Sequence, residues 1–334
     1  MNGNSMSNND RKNQLIGIIL MLVAATLFGT LGTLTNVANE AGISPVAFAT
    51  WREFLGAVSM IVLLLLGVGR PRQSEKTSFK SIPKKQFKFI FFAGIAFSAY
   101  SLAIFYAFVE LTVALAMILF YIFPAIVTII CAVAGLERLN LPKLIALILS
   151  LSGGLLAVLG QIYGETVKIS TLGVFLALGA AVGMSVFYLI GRGGYKNIPE
   201  SYATTFFLMM GTILFLIIGI GIGELDAILQ PFREPSLLLI LLFAGVIAAA
   251  VPTMLMLMSI RKIGASRAST LQIFEPVVAA VLAAIFLGQQ IHFVSIIGGA
   301  LIILAAFILQ RKTDANTETP DTANLVSENV SKAN

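Results

Sequence analysis

Long runs of apolar residues, separated by short polar segments, dominate this chain. A helix that crosses a bilayer needs about 20 mostly apolar residues at about 1.5 Å rise per residue. Ten runs meet this length, and we number them spans one to ten. In chain order they are Leu15 to Ala38, Pro45 to Val68, Phe89 to Val109, Val113 to Gly135, Leu144 to Tyr163, Leu172 to Gly191, Tyr202 to Gly223, Leu237 to Ile260, Ala268 to Leu287, and Phe293 to Gln310. The runs lack the alternation of barrel strands, so the pattern predicts an all-α integral membrane protein with ten transmembrane helices.

Polar segments flank and connect these runs. Residues 1–13 precede span one, and residues 312–334 form a polar tail whose composition is typical of disorder. A basic loop from Arg70 to Lys88 separates spans two and three, where it would determine topology and contact anionic lipid. Between spans seven and eight, Glu224 to Pro235 mixes apolar and charged residues, which predicts an amphipathic turn on the outer surface.

The composition supports the lipid bilayer as the solvent. Of all residues 58% are hydrophobic and 11% are charged, whereas soluble domains carry about 25% charged residues. This excludes a soluble enzyme and a disordered chain, and the single cysteine, Cys131, excludes a disulfide scaffold. The net charge of +6 does not indicate a nucleic-acid partner, because the basic residues lie in short loops between apolar runs. The single histidine, His292, argues against a histidine-based metal site.

The distribution of basic residues predicts the orientation. Cytoplasmic loops of membrane proteins are enriched in Lys and Arg. With a cytoplasmic N-terminus, 19 of the 22 Lys and Arg residues lie on the cytoplasmic side, Lys168 and Arg233 lie outside, and Arg52 lies within span two. Both termini are therefore expected in the cytoplasm. Span one exceeds the roughly 7–15-residue apolar core of a signal peptide and is interpreted as an uncleaved helix.

The two halves of the chain repeat each other. Spans one and six share small and aliphatic residues at a constant offset of 156, which in span one are Gly17, Leu20, Leu22, Ala24 and Ala25. Pro124 stands thirteen residues before Glu137, and Pro276 stands thirteen residues before Gln289, an offset of 152. Each half holds five spans, an odd number, so the halves would insert in opposite orientations. We therefore predict a first repeat at residues 14–163 and an inverted second repeat at 171–311, with the substrate site near the midplane at their interface.

The two prolines would break spans four and nine near that depth. Broken helices are tolerated where the freed backbone faces protein or a cavity. A packing kink at Pro124 or Pro276 is the alternative interpretation.

Several of these motifs resemble the drug/metabolite transporter superfamily, EamA type. Tyr121-Ile-Phe-Pro124 through Gly135-Leu-Glu-Arg138-Leu-Asn140 resembles the end of its fourth helix. Phe274-Glu-Pro276-Val-Val-Ala-Ala through Phe286-Leu-Gly-Gln289, followed by Gly298-Gly299-Ala-Leu-Ile302, resembles its ninth and tenth helices. Arg52 matches an arginine that often stands in helix two. The resemblance covers residues 14 to 311.

This resemblance implies a transporter of two inverted five-helix repeats, with helices 1, 3, 4, 6, 8 and 9 around a central cavity. It implies export of a small metabolite, often an amino acid. One position departs from the family pattern, since Gln289 stands where a glutamate is usual, while Glu137 occupies the matching position in the first repeat. If that acid anchors the helix end, its loss at one site is tolerable. If it takes part in proton coupling, the second half has lost it.

Ionisable residues inside the spans are functional candidates, because a charge at the bilayer centre costs about 2.5–3.5 kcal/mol. Glu275 is predicted either to line the cavity, where it could carry a proton, or to make a structural bond at a broken helix. Arg52 either binds the carboxylate of an anionic substrate or anchors helix two and snorkels. Adjacent helix positions point in different directions, so Arg52 and Glu53 are not expected to pair, and Glu53 is interpreted as structural.

Polar and aromatic side chains on the six cavity helices complete the predicted pathway. They either bind substrate or hold helices together. They are Thr26, Thr30, Ser98, Tyr100, Tyr121, Ser185, Tyr188, Thr253 and Gln272. Gln272 and Glu275 are three residues apart and share a helix face.

The sequence therefore predicts a secondary transporter for a small polar metabolite, working by alternating access in a bacterial cytoplasmic membrane and without a cofactor. Protons are a second candidate partner, because proton antiport and uniport stay open, as do monomer and homodimer. A non-transporting sensor or scaffold is the alternative function. An intramembrane enzyme would need paired acids, a Ser/His pair or a zinc motif within the spans, and the sequence contains none of these.

Overall fold

The computed structural model describes most of the chain. The described residues are 8–67, 82–111, 113–137, 139–162, 170–287 and 292–311. The predictions for residues 1–7, for most of the basic loop from Arg70 to Lys88, for Gln289 and for the tail at 312–334 lie outside these residues.

The described residues form helices and turns, with no β-strand among them. In chain order the α-helices are α1 (Asn8–Phe28), α2 (Thr30–Glu40), α3 (Pro45–Leu65), α4 (Lys84–Glu110), α5 (Val113–Phe120), α6 (Phe123–Val133), α7 (Leu141–Ile162), α8 (Thr171–Gly191), α9 (Glu200–Gly221), α10 (Leu225–Arg233), α11 (Ser236–Gly245), α12 (Val251–Ile263), α13 (Ala265–Gln272), α14 (Glu275–Leu287) and α15 (Phe293–Arg311). A short π-helix, Val246–Ala250, joins α11 to α12.

These helices form the ten predicted spans. Within the described ranges, nine helical segments are long and apolar enough to cross a membrane, and Phe293–Leu309 adds a shorter apolar one. Spans one, four, eight and nine are each built from consecutive helices, and each of the others is a single helix. The predicted all-α, ten-helix architecture is confirmed. The amphipathic segment between spans seven and eight is α10, which buries Ile228 and exposes Phe232.

The outer surface of the bundle is apolar. Phe175, Leu239 and Ile285 are between 67% and 76% exposed, and many other large hydrophobic side chains are also accessible. Continuous apolar surface of this kind is unfavourable in water and favourable against lipid. The chain is therefore an integral membrane protein.

Spans four and nine are interrupted at corresponding positions. Two residues separate α5 from α6, and two separate α13 from α14. In each span the proline is the second residue of the helix after the break. At both breaks a backbone N–H bonds to the oxygen three residues earlier, where an α-helix would use the oxygen four residues earlier. The N–H of Ala125 donates to the oxygen of Ile122 at 3.0 Å, and the N–H of Val277 donates to the oxygen of Phe274 at 3.2 Å. The two bonds are 152 residues apart, the offset of the predicted repeat.

Two further interruptions have no proline at the break itself and were not predicted. Span one breaks at Gly29, between α1 and α2. Span eight contains the π-helix Val246–Ala250, shortly before Pro252. In an α-helix the N–H of residue 252 would bond to the oxygen of Ala248, and proline has no N–H to donate. A locally widened helix is a common response to such a conflict.

The packing between spans follows the inverted repeat. Span one packs along span eight, and span six packs along span three, which is the corresponding pair. Spans two and seven pack against each other, and so do spans five and ten. A twofold axis that exchanges spans one to five with spans six to ten converts the contact of spans one and eight into that of spans six and three. It converts the contact of spans two and seven, and that of spans five and ten, into themselves. The chain is therefore built from two inverted five-helix repeats.

Spans five and ten approach each other closely because glycines line their contact. A Cβ atom on Gly153 would lie 2.6 Å from the main-chain oxygen of Gly298, so Gly153 has no room for a side chain. Small residues at such positions allow membrane helices to pack backbone against backbone.

Candidate functional site

A chain of buried polar groups lies at the break in span nine. Gln272 ends α13 and Glu275 begins α14, and Nε2 of Gln272 donates to Oε2 of Glu275 at 3.3 Å. From span six, the hydroxyl of Tyr188 donates to Oε1 of Gln272. The exposed fractions of the three residues are 2%, 6% and 0%, in the order Gln272, Glu275 and Tyr188. The predicted shared face of Gln272 and Glu275 therefore points into the bundle.

Aromatic rings from spans three, four and six surround these polar groups. The ring of Tyr100 stacks on Phe120 with centroids 6.1 Å apart, and Phe123 packs against Tyr188 at 5.5 Å. Tyr121 lies in the break of span four, near the Glu275 carboxylate. The buried hydroxyl of Tyr121 interacts with that carboxylate and has no other hydrogen-bond partner among the described residues. We call Gln272, Glu275, Tyr100, Tyr121 and Tyr188 the polar centre.

The break in span one contacts the same region. A Cβ atom on Gly29 would lie 3.1 Å from the main-chain oxygen of Glu275 and 2.9 Å from Cβ of Val278. Glycine is therefore required for this close approach. The next residue, Thr30, donates its hydroxyl to the main-chain oxygen of Leu27 at 2.6 Å, which satisfies a carbonyl beside the break.

Arg52 and Glu53 form a buried salt bridge, with Nη1 and Oε1 2.7 Å apart. The prediction that these neighbours would not pair was wrong, because both side chains are long enough for their charged ends to meet although they leave the helix in different directions. The Nε and Nη2 atoms of Arg52 both donate to the oxygen of Ala248, at 3.2 and 2.5 Å. This is the carbonyl that Pro252 leaves without an α-helical donor. Arg52 is 1% exposed, so it does not snorkel, and it joins span two to span eight.

The remaining predicted residues have contacts of two kinds. Ser185 donates to the main-chain oxygens of Ala181 at 2.7 Å and Phe123 at 3.3 Å, which connects span six to the break in span four. The buried hydroxyls of Ser98 and Thr253 have no hydrogen-bond partner among the described residues. The structure thus gathers Tyr100, Tyr121, Tyr188, Gln272 and Glu275 in the polar centre, while Arg52, Thr30 and Ser185 bond to main-chain oxygens.

A second buried charge cluster surrounds Glu137, which the sequence motifs placed only at a helix end. Its carboxylate accepts a hydrogen bond from Nζ of Lys143 at 3.1 Å and from the nitrogen of Ser266 at 3.4 Å, and it lies 3.5 Å from Nε of Arg192. We call these four residues the Glu137 cluster. Because they come from spans four, five, six and nine, the cluster ties the two repeats together at one end of the bundle. The sequence offered one indication of this cluster: Lys143 follows Glu137 by six residues, across the turn between spans four and five.

Arg261 organises the turn between spans six and seven at the same end. Its Nη1 lies 3.1 Å from Oε1 of Glu200, and its Nη2 donates to the oxygen of Ile198 at 2.9 Å. The guanidinium also lies 5.3 Å from the ring centroid of Tyr195, which is fully buried. Burial raises the pKa of the Tyr195 phenol, because the charged phenolate would lose its hydration.

The polar centre is suited to binding an organic molecule rather than a metal ion. It offers one carboxylate, one amide and three phenols. In the part of the chain that the structure describes, no group of three or more His, Cys, Asp or Glu residues is placed to hold a metal ion. Aromatic walls with a few convergent polar groups are typical of small-molecule sites.

Comparisons with known proteins agree with this architecture. The profile of the EamA-like transporter family matches the chain twice, at residues 15–159 and 171–311. A protein of Bacillus subtilis (strain 168) named Uncharacterized transporter YwfM is 26% identical over 297 residues, which covers 87% of this chain and 92% of that protein. Another, named Uncharacterized transporter YoaV, is 24% identical and covers 88% and 97%. A crystal structure at 18% identity has the same fold, with a TM-score of 0.69 over 96% of this chain and 98% of its own.

Proposed function

Because this chain belongs to the EamA-like transporter family, we propose that it is a secondary transporter that moves a small polar metabolite by alternating access. Amino acids and related compounds are the leading substrate class, and export is the leading direction. The relatives from Bacillus subtilis (strain 168) are named as transporters, which supports transport as the function.

The polar centre is the observation that carries this proposal. A carboxylate inside a membrane bundle is costly, so its presence there favours a functional role. Here Glu275 lies at the break of span nine, Tyr121 lies in the break of span four, and Gly29 brings the break of span one against Glu275. Discontinuous helices that meet inside a bundle form the substrate sites of many inverted-repeat transporters.

The Glu137 cluster supports a conformational cycle. It joins the two repeats through contacts of Glu137 with Arg192 and with the nitrogen of Ser266. Opening a path between the repeats at this end requires those contacts to separate. Ion pairs and hydrogen bonds are suited to this, because water hydrates both partners as they separate, which costs less than leaving one buried partner without the other.

The charge distribution supports both termini in the cytoplasm, and the relatives from Bacillus subtilis (strain 168) support a bacterial cytoplasmic membrane. In that orientation the Glu137 cluster lies at the cytoplasmic end. The structure would then be closed towards the cytoplasm by the cluster.

Uptake by proteoliposomes tests the proposal. Purified protein is reconstituted, a labelled mixture of amino acids, amines and organic acids is added, and uptake is measured with and without an imposed pH gradient. Selective uptake above that of empty liposomes is expected. Stimulation by the gradient would assign proton antiport, and uptake without a response to it would assign uniport.

Absence of uptake in folded, correctly oriented protein would overturn the proposal in favour of a sensor or scaffold. Orientation is checked by protease access to the loops. As a matched control, Asp226→Asn removes a carboxylate on α10 whose side chain is 88% exposed and not part of the polar centre, and it should transport as the unmodified protein does.

A further inference from the structure

The charges around the polar centre do not balance. Among the described residues, Glu275 has no salt-bridge partner. Arg52 is the cation whose charge bears on Glu275, but it is 2.7 Å from Glu53 and donates twice to the oxygen of Ala248. The guanidinium therefore has its partners already. With both carboxylates ionised, the two acids and one guanidinium would leave a single negative charge inside the bundle.

The groups around that charge suit a positive ligand. The phenol groups of Tyr100 and Tyr121 are close enough to the Glu275 carboxylate to interact with it electrostatically, and their rings pack in the aromatic wall around it. Aromatic faces attract cations, and organic ammonium groups are commonly bound by several rings together with one acid. The buried hydroxyl of Tyr121 can donate its proton to the Glu275 carboxylate and still accept a hydrogen bond from an ammonium N–H through an oxygen lone pair.

The same groups do not suit a carboxylate ligand. The oxygen of a substrate carboxylate would add a second negative charge to a region of low dielectric, where like charges repel strongly. Arg52 would have to leave both Glu53 and Ala248 to compensate it. That exchange would strand a buried acid and a buried carbonyl, each of which is costly.

We propose that the polar centre recognises an ammonium group through Glu275, the rings of Tyr100 and Tyr121 and the Tyr121 hydroxyl, and that it prefers cationic amines to the zwitterionic amino acids of the same skeleton. This inference rests on the proposed transport function and narrows its substrate class. Gln272 positions the acid, because its amide donates to Oε2 of Glu275 and accepts from Tyr188.

Binding to the purified full-length protein in detergent tests this preference without requiring transport. Isothermal titration calorimetry is run with two matched pairs, phenethylamine with phenylalanine and isopentylamine with leucine. Within each pair the two compounds differ only by a carboxylate. The two pairs compare an aromatic with an aliphatic side chain. We expect each amine to bind about 10-fold or more tightly than its amino acid, since a charge-assisted contact is worth roughly that factor.

Glu275→Gln should remove the preference and weaken amine binding about 10- to 100-fold. Asp226→Asn is the matched control and should bind both amines as the unmodified protein does. Heat from partition of the amines into detergent micelles is the same for both variants, so a difference between them reports binding at Glu275. Circular dichroism and size-exclusion chromatography establish that each variant is folded. The comparison of amine with amino acid on the unmodified protein stands even if Glu275→Gln does not fold.

Three results would overturn the inference: amino acids binding as tightly as amines, no binding of either amine, or a preference that survives in Glu275→Gln. The proteoliposome assay separates these results from failure of the proposed function. Selective uptake of zwitterions or anions would support the proposed transport function and contradict the proposed ammonium site. No uptake of any compound would reject the transporter itself.

Discussion

Arg52 on span two donates two hydrogen bonds to the main-chain oxygen of Ala248 on span eight, from Nε at 3.2 Å and from Nη2 at 2.5 Å. The acceptor is the carbonyl that Pro252 deprives of its α-helical donor. The arginine thus replaces, from another helix, a hydrogen bond that span eight cannot make itself. Its remaining charge is balanced by Glu53 at 2.7 Å.

Arg52→Gln should therefore destabilise the protein. Removal of one partner from a buried ion pair costs roughly 3–5 kcal/mol, because the other charge is left unpaired. The double variant Arg52→Gln with Glu53→Gln should cost less than Arg52→Gln alone, because it leaves no buried charge. Thermal unfolding in detergent measures both. A double variant as unstable as the sum of the two single variants would show that the pair is not coupled.

Pro252→Ala should make Arg52 less important. The alanine N–H can donate to the oxygen of Ala248, so part of the cost of Arg52→Gln, about 1 kcal/mol, should disappear in the Pro252→Ala background. Unfolding midpoints of the four proteins in this cycle give the coupling. An equal effect of Arg52→Gln in both backgrounds would contradict the assignment of this carbonyl as its main partner.

Gly29→Ala should be harmful and Gly32→Ala harmless, although both positions lie near the break of span one. A Cβ on Gly29 meets Val278 at 2.9 Å, whereas nothing lies within 4 Å of one on Gly32. We expect Gly29→Ala to cost about 1–3 kcal/mol through overpacking, and Gly32→Ala to be neutral or to stabilise by up to about 1 kcal/mol. Unfolding and uptake are measured side by side. Equal stabilities would indicate that α1 and α14 separate easily.

Glu137→Gln should weaken the end of the bundle that the Glu137 cluster joins. It leaves Lys143, which is 7% exposed, without its carboxylate partner, so we expect a loss of roughly 3 kcal/mol or more. Protease access or thiol labelling at Cys131, which is buried, should increase if the repeats separate there. Asp226→Asn, which breaks only the exposed pair with Arg233, should change stability by about 0.5 kcal/mol or less. Unchanged labelling would show that the cluster does not hold this end closed.

The burial of Tyr195 leads us to expect that the free energy of unfolding falls at alkaline pH. Burial raises the pKa of its phenol above the unfolded value of about 10. The unfolded chain therefore releases its proton first, and stability falls as the pH rises above about 10, by up to about 1.4 kcal/mol per pH unit. Tyr195→Phe should unfold with a smaller slope above that pH and with the same slope below it. Identical slopes in the alkaline range would contradict a buried, neutral phenol.

Much of the architecture could be predicted because it depends on local sequence. Spans appear as continuous apolar runs, and a proline in the middle of such a run indicates an interruption of the helix. The breaks of spans four and nine therefore lie where Pro124 and Pro276 indicate. The break at Gly29 could not be located in this way, because glycine is common inside membrane helices. It depends on contact with Val278, nearly 250 residues later in the chain.

The charged residues were harder to interpret for the same reason. Arg52 was found as an intramembrane charge, but its partners include a carbonyl on span eight that becomes available only because Pro252 follows it. Glu275 and Gln272 could be paired from their spacing. The Glu137 cluster draws on four spans, so its contacts with Arg192 and Ser266 follow from tertiary packing and not from any local pattern.

The twofold relation between the repeats has a consequence for the shape of a second conformer. Span one is broken at Gly29, whereas its counterpart, span six, is a single helix from Thr171 to Gly191. The halves are thus one structural unit held in two backbone conformations. If the proposed alternating-access cycle exchanges these conformations, span six would acquire the interruption, span one would become continuous, and the end held by the Glu137 cluster would open while the opposite end closes. Each half would then be a template for the other half in the second conformer.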